Sequence, residues 1–79
     1  MQEFEIRLRS VQDVQDFVAL ATTHNFPVLV SDDNHRVNGK SFMEMFCLNF
    51  SQRLIAALDC SGSELERIHS EFQRFFVTE

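Results

Sequence analysis

The fold of this 79-residue chain is constrained most by a switch between two apolar spacings near its N-terminus. Residues 3–8 alternate polar and apolar side chains, which is the period of a strand with one buried face. The next apolar side chains fall at the i, i+3, i+4 and i+7 positions of one helical face: Val14, Phe17, Val18 and Ala21. Because Ser10 and Asp13 lie between the two segments as a capping pair, a strand followed directly by an amphipathic helix is predicted.

Most of the remaining segments can be assigned by the same criteria. Residues 26–30 are rich in β-forming side chains, residues 31–34 favour a turn, and residues 35–38 suit a short returning strand. Residues 54–58 form a continuous apolar run, as expected for a strand at or beside the centre of a sheet. The last helix presents an apolar stripe at helical spacing: Leu65, Ile68, Phe72 and Phe75 or Phe76.

A short helix is predicted between these strands, over residues 41–48. Ser41 and Glu44 form a second capping pair, and Asn49 can close the helix in a left-handed conformation. The order of elements is then βαββαβα, and a four-stranded sheet with helices packed on one face buries each apolar stripe once. We therefore expect an α+β fold that forms one domain over residues 1–79.

Composition and charge exclude several classes of function. The chain carries 12 acidic and 7 basic residues, a net charge of -5, and the basic residues are scattered singly along the sequence. Nucleic-acid binding needs a clustered positive surface, so no nucleic-acid partner is expected. The apolar runs are only a few residues long, so membrane insertion is not expected either.

The cysteines and the N-terminal residues indicate a cytoplasmic protein. Cys47 and Cys60 are not spaced as a Cys-x-x-Cys pair, and residues 1–5 are acidic and alternating, unlike a secretion signal. Reduced thiols are therefore expected, with Cys47 as a small buried hydrophobe and Cys60 as a thiol at a strand end.

The short second helix carries more apolar side chains than packing requires. Met45 and Leu48 can fill its inward face, which leaves Phe42, Met43 and Phe46 at least partly outward. These three residues either pack against the sheet or form an adaptable docking surface for a protein partner. The sequence leaves both interpretations open.

The segment from residue 37 to residue 49 resembles the serine-site region of HPr, the histidine-containing phosphocarrier family of the bacterial sugar phosphotransferase system. The residues that fit the family pattern are Val37, Asn38, Lys40, Ser41, Phe42, Met43, Met45 and Leu48. Two residues depart from it, since Glu44 stands where a small residue is usual and Asn49 replaces a glycine. The element order is also that of HPr, so the resemblance implies an open-faced β-sandwich with a four-stranded antiparallel sheet and three helices on one face.

The same resemblance implies that the family's phosphocarrier chemistry is absent. Counted back without gaps, the family motif Gly-x-His-x-Arg-Pro falls on residues 8–13, where Ser10 replaces the histidine, Gln12 the arginine and Asp13 the proline. A carrier needs an imidazole that titrates near neutral pH, and a serine phosphoester is too stable for rapid onward transfer. We therefore expect no catalytic residue, no enzymatic activity of the chain's own and no cofactor.

Three histidines are present elsewhere in the chain, namely His24, His35 and His69. None of them is placed at a predicted helix start, and their spacing does not suit a metal site. All three are interpreted as surface or half-buried residues without a role in phosphoryl transfer.

Ser41 has two compatible interpretations. Its hydroxyl can cap the second helix, and in some HPr-family proteins the matching serine is phosphorylated by a dedicated HPr kinase. The protein partners that the resemblance implies are enzyme I, HPr kinase and a carbon-control transcription regulator. Three functions stay open: a regulatory binding module without carrier activity, a phosphocarrier with a different acceptor residue, and an HPr-fold interaction protein unrelated to sugar transport.

Overall fold

A four-stranded antiparallel sheet carries the fold, and helices cover one of its faces. In the computed structural model, which describes residues 2–77, the strands are β1 (Gln2–Ile6), β2 (Val28–Ser31), β3 (Arg36–Asn38) and β4 (Leu54–Leu58). The α-helices are α1 (Val11–Thr22), α2 (Phe42–Met45) and α3 (Leu65–Phe72), with 3₁₀ turns at Gly62–Glu64 and Gln73–Phe75. The strand order in the sheet is β1-β4-β2-β3. The predicted α+β architecture and the order βαββαβα are confirmed.

The apolar run that forms β4 lies inside the sheet, as predicted. It pairs with β1 through Phe4 opposite Ala56, and with β2 through Val30 opposite Ala56. Val30 and Ala56 are buried on the face that the helices cover. The alternate pair, Glu5 opposite Ile55, is only half-buried. Because side chains alternate between the faces of a sheet, one face carries the core and the other is partly open.

The core between the sheet and the helices is built around Phe17 of α1. Its side chain is fully buried, and its ring centroid lies 5.5 Å from that of Phe72 and 5.4 Å from that of Phe75, edge to face. Burial of such a ring contributes about 1.5–3 kcal/mol. Ile68 and Phe72 form the buried stripe of α3, as predicted, whereas Leu65 is half-exposed.

The chain after α3 runs beside the outer edge of β1. The amide of Arg7 donates to the carbonyl of Phe75 at 2.8 Å, and Ile6 forms an isolated bridge with Phe76. On the inner edge, pairing with β4 stops at Ile6, so β1 ends there and not at residue 8 as predicted. Phe75 enters the core, and Phe76 packs against its edge.

Helix α1 begins at its predicted cap and ends at Thr22. The hydroxyl oxygen of Ser10 accepts from the amide of Asp13 at 3.1 Å. The reciprocal bond differs from the prediction, because the Asp13 carboxylate accepts from the amide of Arg9 at 2.9 Å and not from that of Ser10. At the other end, the hydroxyls of Thr22 and Thr23 bond to carbonyls one turn earlier, which competes with further helical propagation.

Asp32 organises the hairpin between β2 and β3. Its carboxylate accepts from the amide of Asn49 at 2.8 Å, from that of Asn34 at 2.8 Å and from that of His35 at 2.6 Å. These backbone donors, the Asn49 amide foremost, hold the pKa of Asp32 well below its usual range. The side chain is buried and ties the hairpin to the loop that follows α2.

Gly39 lets the chain pass close to the sheet before α2 begins. Its amide donates to the carbonyl of Val28 at 2.7 Å, and the residue is buried. A Cβ atom at this position would lie 2.6 Å from Cγ1 of Val28 and 3.2 Å from Cγ2 of Val30. The approach therefore requires a residue without a side chain.

Helix α2 is shorter than predicted, since it spans Phe42–Met45 and not residues 41–48. No non-glycine residue among residues 2–77 has a positive φ, so the prediction that Asn49 closes the helix in a left-handed conformation is wrong. The chain turns instead through two short-range bonds, in which the amides of Cys47 and Leu48 donate to carbonyls three residues earlier. Such i→i−3 bonds are typical of a tightened last turn.

The position of this turn also decides the environment of Cys47. Met45 and Leu48 take the two inward positions, as predicted, and both are buried. Cys47 is consequently exposed, so the prediction that it is a small buried hydrophobe is wrong. Cys60 follows β4 as expected, and it is half-buried against the core.

Candidate functional site

Ser10 lies at the exposed start of α1 and acts there as a helix cap. Its hydroxyl oxygen accepts from the Asp13 amide, and within residues 2–77 no imidazole or carboxylate hydrogen-bonds to it. A serine becomes a nucleophile when a general base lies within hydrogen-bond reach. The surroundings of Ser10 therefore stabilise the helix and do not activate the hydroxyl.

A charge cluster occupies the first turns of α1 next to Ser10. The Arg74 guanidinium donates to Asp16 at 2.9 Å and to Asp13 at 3.0 Å. The side-chain amide of Gln12 donates to the second oxygen of Asp16 at 2.9 Å. These bonds, that of Arg74 foremost, hold the pKa of Asp16 below its usual value. The two carboxylates add negative charge beside Ser10, which opposes the binding of a phosphoryl group there.

Ser41 caps α2, but the acid paired with it in the sequence bonds elsewhere. The Ser41 hydroxyl accepts from the amide of Glu44 at 3.3 Å. The Glu44 carboxylate accepts from the amide of Asn38 at 3.0 Å, so the reciprocal bond to Ser41 that a capping box requires is not made. Ser41 itself is half-buried. The neighbouring cation is also occupied, because the Lys40 ammonium donates to the carbonyl of His24 at 2.7 Å.

Three aromatic rings form a row across α2 and the loop after it. The centroids of Phe42 and Phe46 lie 4.8 Å apart, and those of Phe46 and Phe50 lie 6.3 Å apart, both edge to face. Phe42 and Phe50 pack partly against the core. Phe46 is 44% exposed and Met43 is 80% exposed, so core packing does not account for either side chain.

An apolar groove of about 290 Å³ connects this row to the start of α1. Its lining residues are Leu8, Arg9, Ser10, Val11, Val14, Phe46 and Phe50. Val11, the first residue of α1, is 57% exposed. Val11, Phe46 and Phe50 line this groove, and Phe42 and Met43 extend the apolar side chains along α2 beside it. These five residues are called here the α1/α2 surface, with Ser10 at its margin.

The three histidines lie away from this groove. The Nε2 atom of His24 is 2.7 Å from the Glu71 carboxylate, and its ring stacks on Phe26. His35 contacts the carboxylate of the hairpin aspartate, and the ring of His69 packs edge-on against Phe4. Each imidazole is thus part of a structural contact, and none caps a helix start. In the described part of the chain, no cluster of three or more His, Cys, Asp and Glu side chains could hold a metal ion.

The architecture is similar to that of a solved structure, the crystal structure of HPr-C-His from Thermoanaerobacter tengcongensis. The two agree with a TM-score of 0.66 and 23% sequence identity, over 92% of this chain and 97% of that chain. This chain has an HPr-like fold. No protein-family profile and no curated protein matches the sequence. The helices in the described part of this HPr-like domain are too short or too polar to cross a membrane.

Two contributors to the α1/α2 surface of this HPr-like domain are missing from the sequence predictions. Phe50 follows Phe42 and Phe46 at successive intervals of four residues, and this spacing could have indicated the row. Val11 continues the apolar spacing of its helix at positions 11, 14 and 18, so the spacing does not indicate that it is exposed at the helix start. The sequence predicted Phe42, Met43 and Phe46, but not the surface that they share with the start of α1.

Proposed function

We propose that this HPr-fold protein is a regulatory protein-binding module that does not carry phosphoryl groups. The observation that supports the proposal most directly is that Ser10, a helix-capping serine, lies at the edge of the apolar groove. Under the gap-free alignment that the HPr resemblance implies, a phosphocarrier has an imidazole at this position. In this chain an apolar groove lies at that place, and the residue at the acceptor position is a helix-capping serine.

The electrostatics at the start of α1 support the same conclusion. A phosphocarrier binds its phosphoryl group where backbone amides and an arginine stabilise negative charge. Here Gln12 stands at the position that the resemblance gives to the arginine, and its amide donates to Asp16. Asp13 accepts from the Arg9 amide and pairs with Arg74. The Gln12 amide and the Arg74 guanidinium at this site are therefore committed to carboxylates of the chain itself.

The α1/α2 surface is the proposed docking site, with Phe42, Met43 and Phe46 as its partner-binding residues. Exposed methionine and phenylalanine side chains adapt to apolar partner surfaces, and a monomer gains no stability from exposing them. The partners that this proposal names are enzyme I, HPr kinase and a carbon-control transcription regulator, in the cytoplasm.

Ser41 is the proposed modification site that switches docking. Its hydroxyl is half-buried at the start of α2, next to the proposed docking residues. A phosphoserine adds a charge of about −1.5 to −2, and helix starts favour such a charge. Glu44 opposes it locally, although its carboxylate is held at the Asn38 amide. Phosphorylation would therefore change the charge of the docking surface more than the stability of the fold.

A phosphorylation assay on the purified protein tests the proposal. One reaction contains phosphoenolpyruvate and enzyme I, the other ATP and HPr kinase, and each product is measured by intact mass and by acid lability. The wild type is expected to gain no acid-labile phosphate from phosphoenolpyruvate. The Ser10→His variant serves as a matched control, because it restores a histidine at the acceptor position. Its phosphorylation would show that enzyme I recognises the surface around residue 10.

The possible results separate the three functions. An acid-labile adduct on the wild type would overturn the loss of carrier activity and point to one of the histidines. An acid-stable adduct from ATP that disappears in Ser41→Ala would support the switch. If neither reaction adds mass and Ser10→His also stays unmodified, an interaction unrelated to sugar transport is favoured.

Docking is tested separately by surface plasmon resonance against immobilised enzyme I, HPr kinase and the regulator. Met43→Gln and Phe46→Gln are expected to weaken any binding that the wild type shows. Glu66→Gln, an exposed substitution on α3, is the control and should leave binding unchanged. Equal binding by all three variants would exclude the α1/α2 surface as the docking site.

A further inference from the structure

An arginine-lined cleft lies next to the apolar groove and shares Leu8, Arg9 and Phe50 with it, but its positive charge is not used by the function proposed above. Its volume is about 600 Å³, within the range of small-molecule sites. Three of the seven basic residues of the chain line it, namely Arg7, Arg9 and Arg53. Ser51 and Gln52 add polar side chains to the same wall.

Most of the positive charge in this cleft is not neutralised by residues 2–77. Among residues 2–77, the cleft contains one acid, Glu5, which pairs with the Nε atom of Arg53 at 3.4 Å. The Arg53 side chain is still 70% exposed in this pair, so the pair is a weak one. No carboxylate in the described residues forms an ion pair with Arg7 or Arg9. Three guanidinium groups and one carboxylate among the described residues give the cleft a formal charge of about +2.

The sheet register brings two of these cations together. Ile6, the last residue of β1, lies opposite Leu54, the first residue of β4, so Arg7 and Arg53, which adjoin this pair, lie at the same end of the two strands. Like charges that lie close together repel each other. Elsewhere in the described residues, Arg67 pairs with Glu71 and Arg74 with the α1 carboxylates, whereas Arg36 is a single exposed cation on β3. On a protein of net charge -5, the cleft is therefore an unusual concentration of unpaired positive charge.

We propose that this cleft binds a phosphate group. A phosphomonoester carries a charge of about −1.5 to −2 and three acceptor oxygens, which matches the net charge and the donors available. Planar guanidinium groups bind such oxygens in pairs. The Gln52 side chain offers a further donor, because its carbonyl oxygen is occupied by the Asp33 amide and its NH₂ group stays available. The phosphate could belong to a small phosphorylated compound or to a phosphoserine of a protein partner.

The test is an NMR titration of the ¹⁵N-labelled protein at constant ionic strength, since screening would otherwise mimic or hide binding. The probes are inorganic phosphate, free phosphoserine, a nine-residue peptide with one phosphoserine, and the same peptide without phosphate. The phosphate probes are expected to cause saturable chemical-shift changes at the amides that border the cleft. Sodium chloride is expected to cause none. Arg9→Gln and Arg53→Gln should each weaken binding by about tenfold, the order expected for hydrogen bonds to charged groups.

Arg36→Gln is the matched control, because it also removes one positive charge but lies on β3, outside the cleft. It should change the affinity by less than about twofold, since distant exposed charges are largely screened. Similar affinities for free phosphoserine and the phosphopeptide would assign the site to small phosphorylated compounds, and much tighter binding of the phosphopeptide would assign it to a protein partner. The proposal is overturned if no phosphate probe gives saturable shifts, or if Arg36→Gln weakens binding as much as the cleft variants do. Neither result depends on docking at the α1/α2 surface.

Discussion

Substitution of Gly39 by alanine is expected to destabilise the domain through a single steric contact. The added Cβ would lie 2.6 Å from Cγ1 of Val28, about 1 Å inside the favourable carbon–carbon separation of about 3.5–4.0 Å. It would also lie 3.2 Å from Cγ2 of Val30 and 3.3 Å from the carbonyl oxygen of Val28. Both valines are buried and β-branched, so neither can rotate away without disturbing the sheet.

The magnitude follows from two opposing terms. Overpacking of a well-packed core costs about 1–3 kcal/mol. Replacement of a glycine by alanine restricts the unfolded chain, which adds about 0.4–1 kcal/mol to the free energy of unfolding. A net loss of about 1–2 kcal/mol is therefore expected, and for a domain of this size each kcal/mol lowers Tm by about 4–8 °C. Gly39 does not have a positive φ, so backbone strain does not add to this value.

Urea and thermal unfolding of Gly39→Ala, measured by circular dichroism, would check the prediction. Gly62→Ala provides the control, because a Cβ at Gly62 meets no atom within 4 Å. The control should unfold at the wild-type temperature or slightly above it, since only the unfolded-state term applies. The steric reasoning is refuted if Gly39→Ala is as stable as Gly62→Ala.

Three further predictions concern local interactions. In Asp32→Asn the free energy of unfolding should fall at pH 7, and its difference from the wild type should shrink as the pH drops below about 4. Folding lowers the pKa of Asp32, so its ionised carboxylate stabilises the folded state above the unfolded-state pKa of about 3.9, and this contribution is lost as the carboxylate is protonated on acidification. If urea titrations gave the same stability difference between variant and wild type at every pH, the reasoning would be contradicted. Ser10→Ala should cost about 1 kcal/mol through loss of the α1 cap, whereas Ser10→Asp, which keeps a capping oxygen, should cost less in the same assay. Cys47 should react with iodoacetamide faster than the half-buried Cys60, as followed by peptide mass, and equal rates would contradict the exposure of Cys47.

The elements that could be predicted from sequence are those specified by neighbouring residues. The Ser10 cap, the stripe of α1 and the buried run of β4 each depend on residues close in the chain, and each lies where predicted. The outward placement of Met43 and Phe46 was also predictable, because Met45 and Leu48 suffice to fill the inward face.

The features that escaped prediction depend on contacts between distant residues. The Asp13 carboxylate bonds to Arg9 and to Arg74, so its role could not be inferred from a capping motif alone. Similarly, Asp32 reaches the amide of Asn49 across the fold. The arginine cleft arises because antiparallel pairing brings the end of β1 beside the start of β4, although the basic residues look scattered in sequence.

The segment that runs beside β1 also has a consequence for self-association. Its bonds include the amide of Val77 donating to the carbonyl of Glu5 at 3.0 Å, so with the Arg7 amide two backbone groups at the C-terminal end of β1 are occupied. The other outer strand, β3, has only three residues and exposes Arg36 and Asn38. Short, polar edge strands are poor templates for the addition of a strand from a second molecule. The C-terminal end of β1 and the whole of β3 are thus protected against edge-to-edge aggregation.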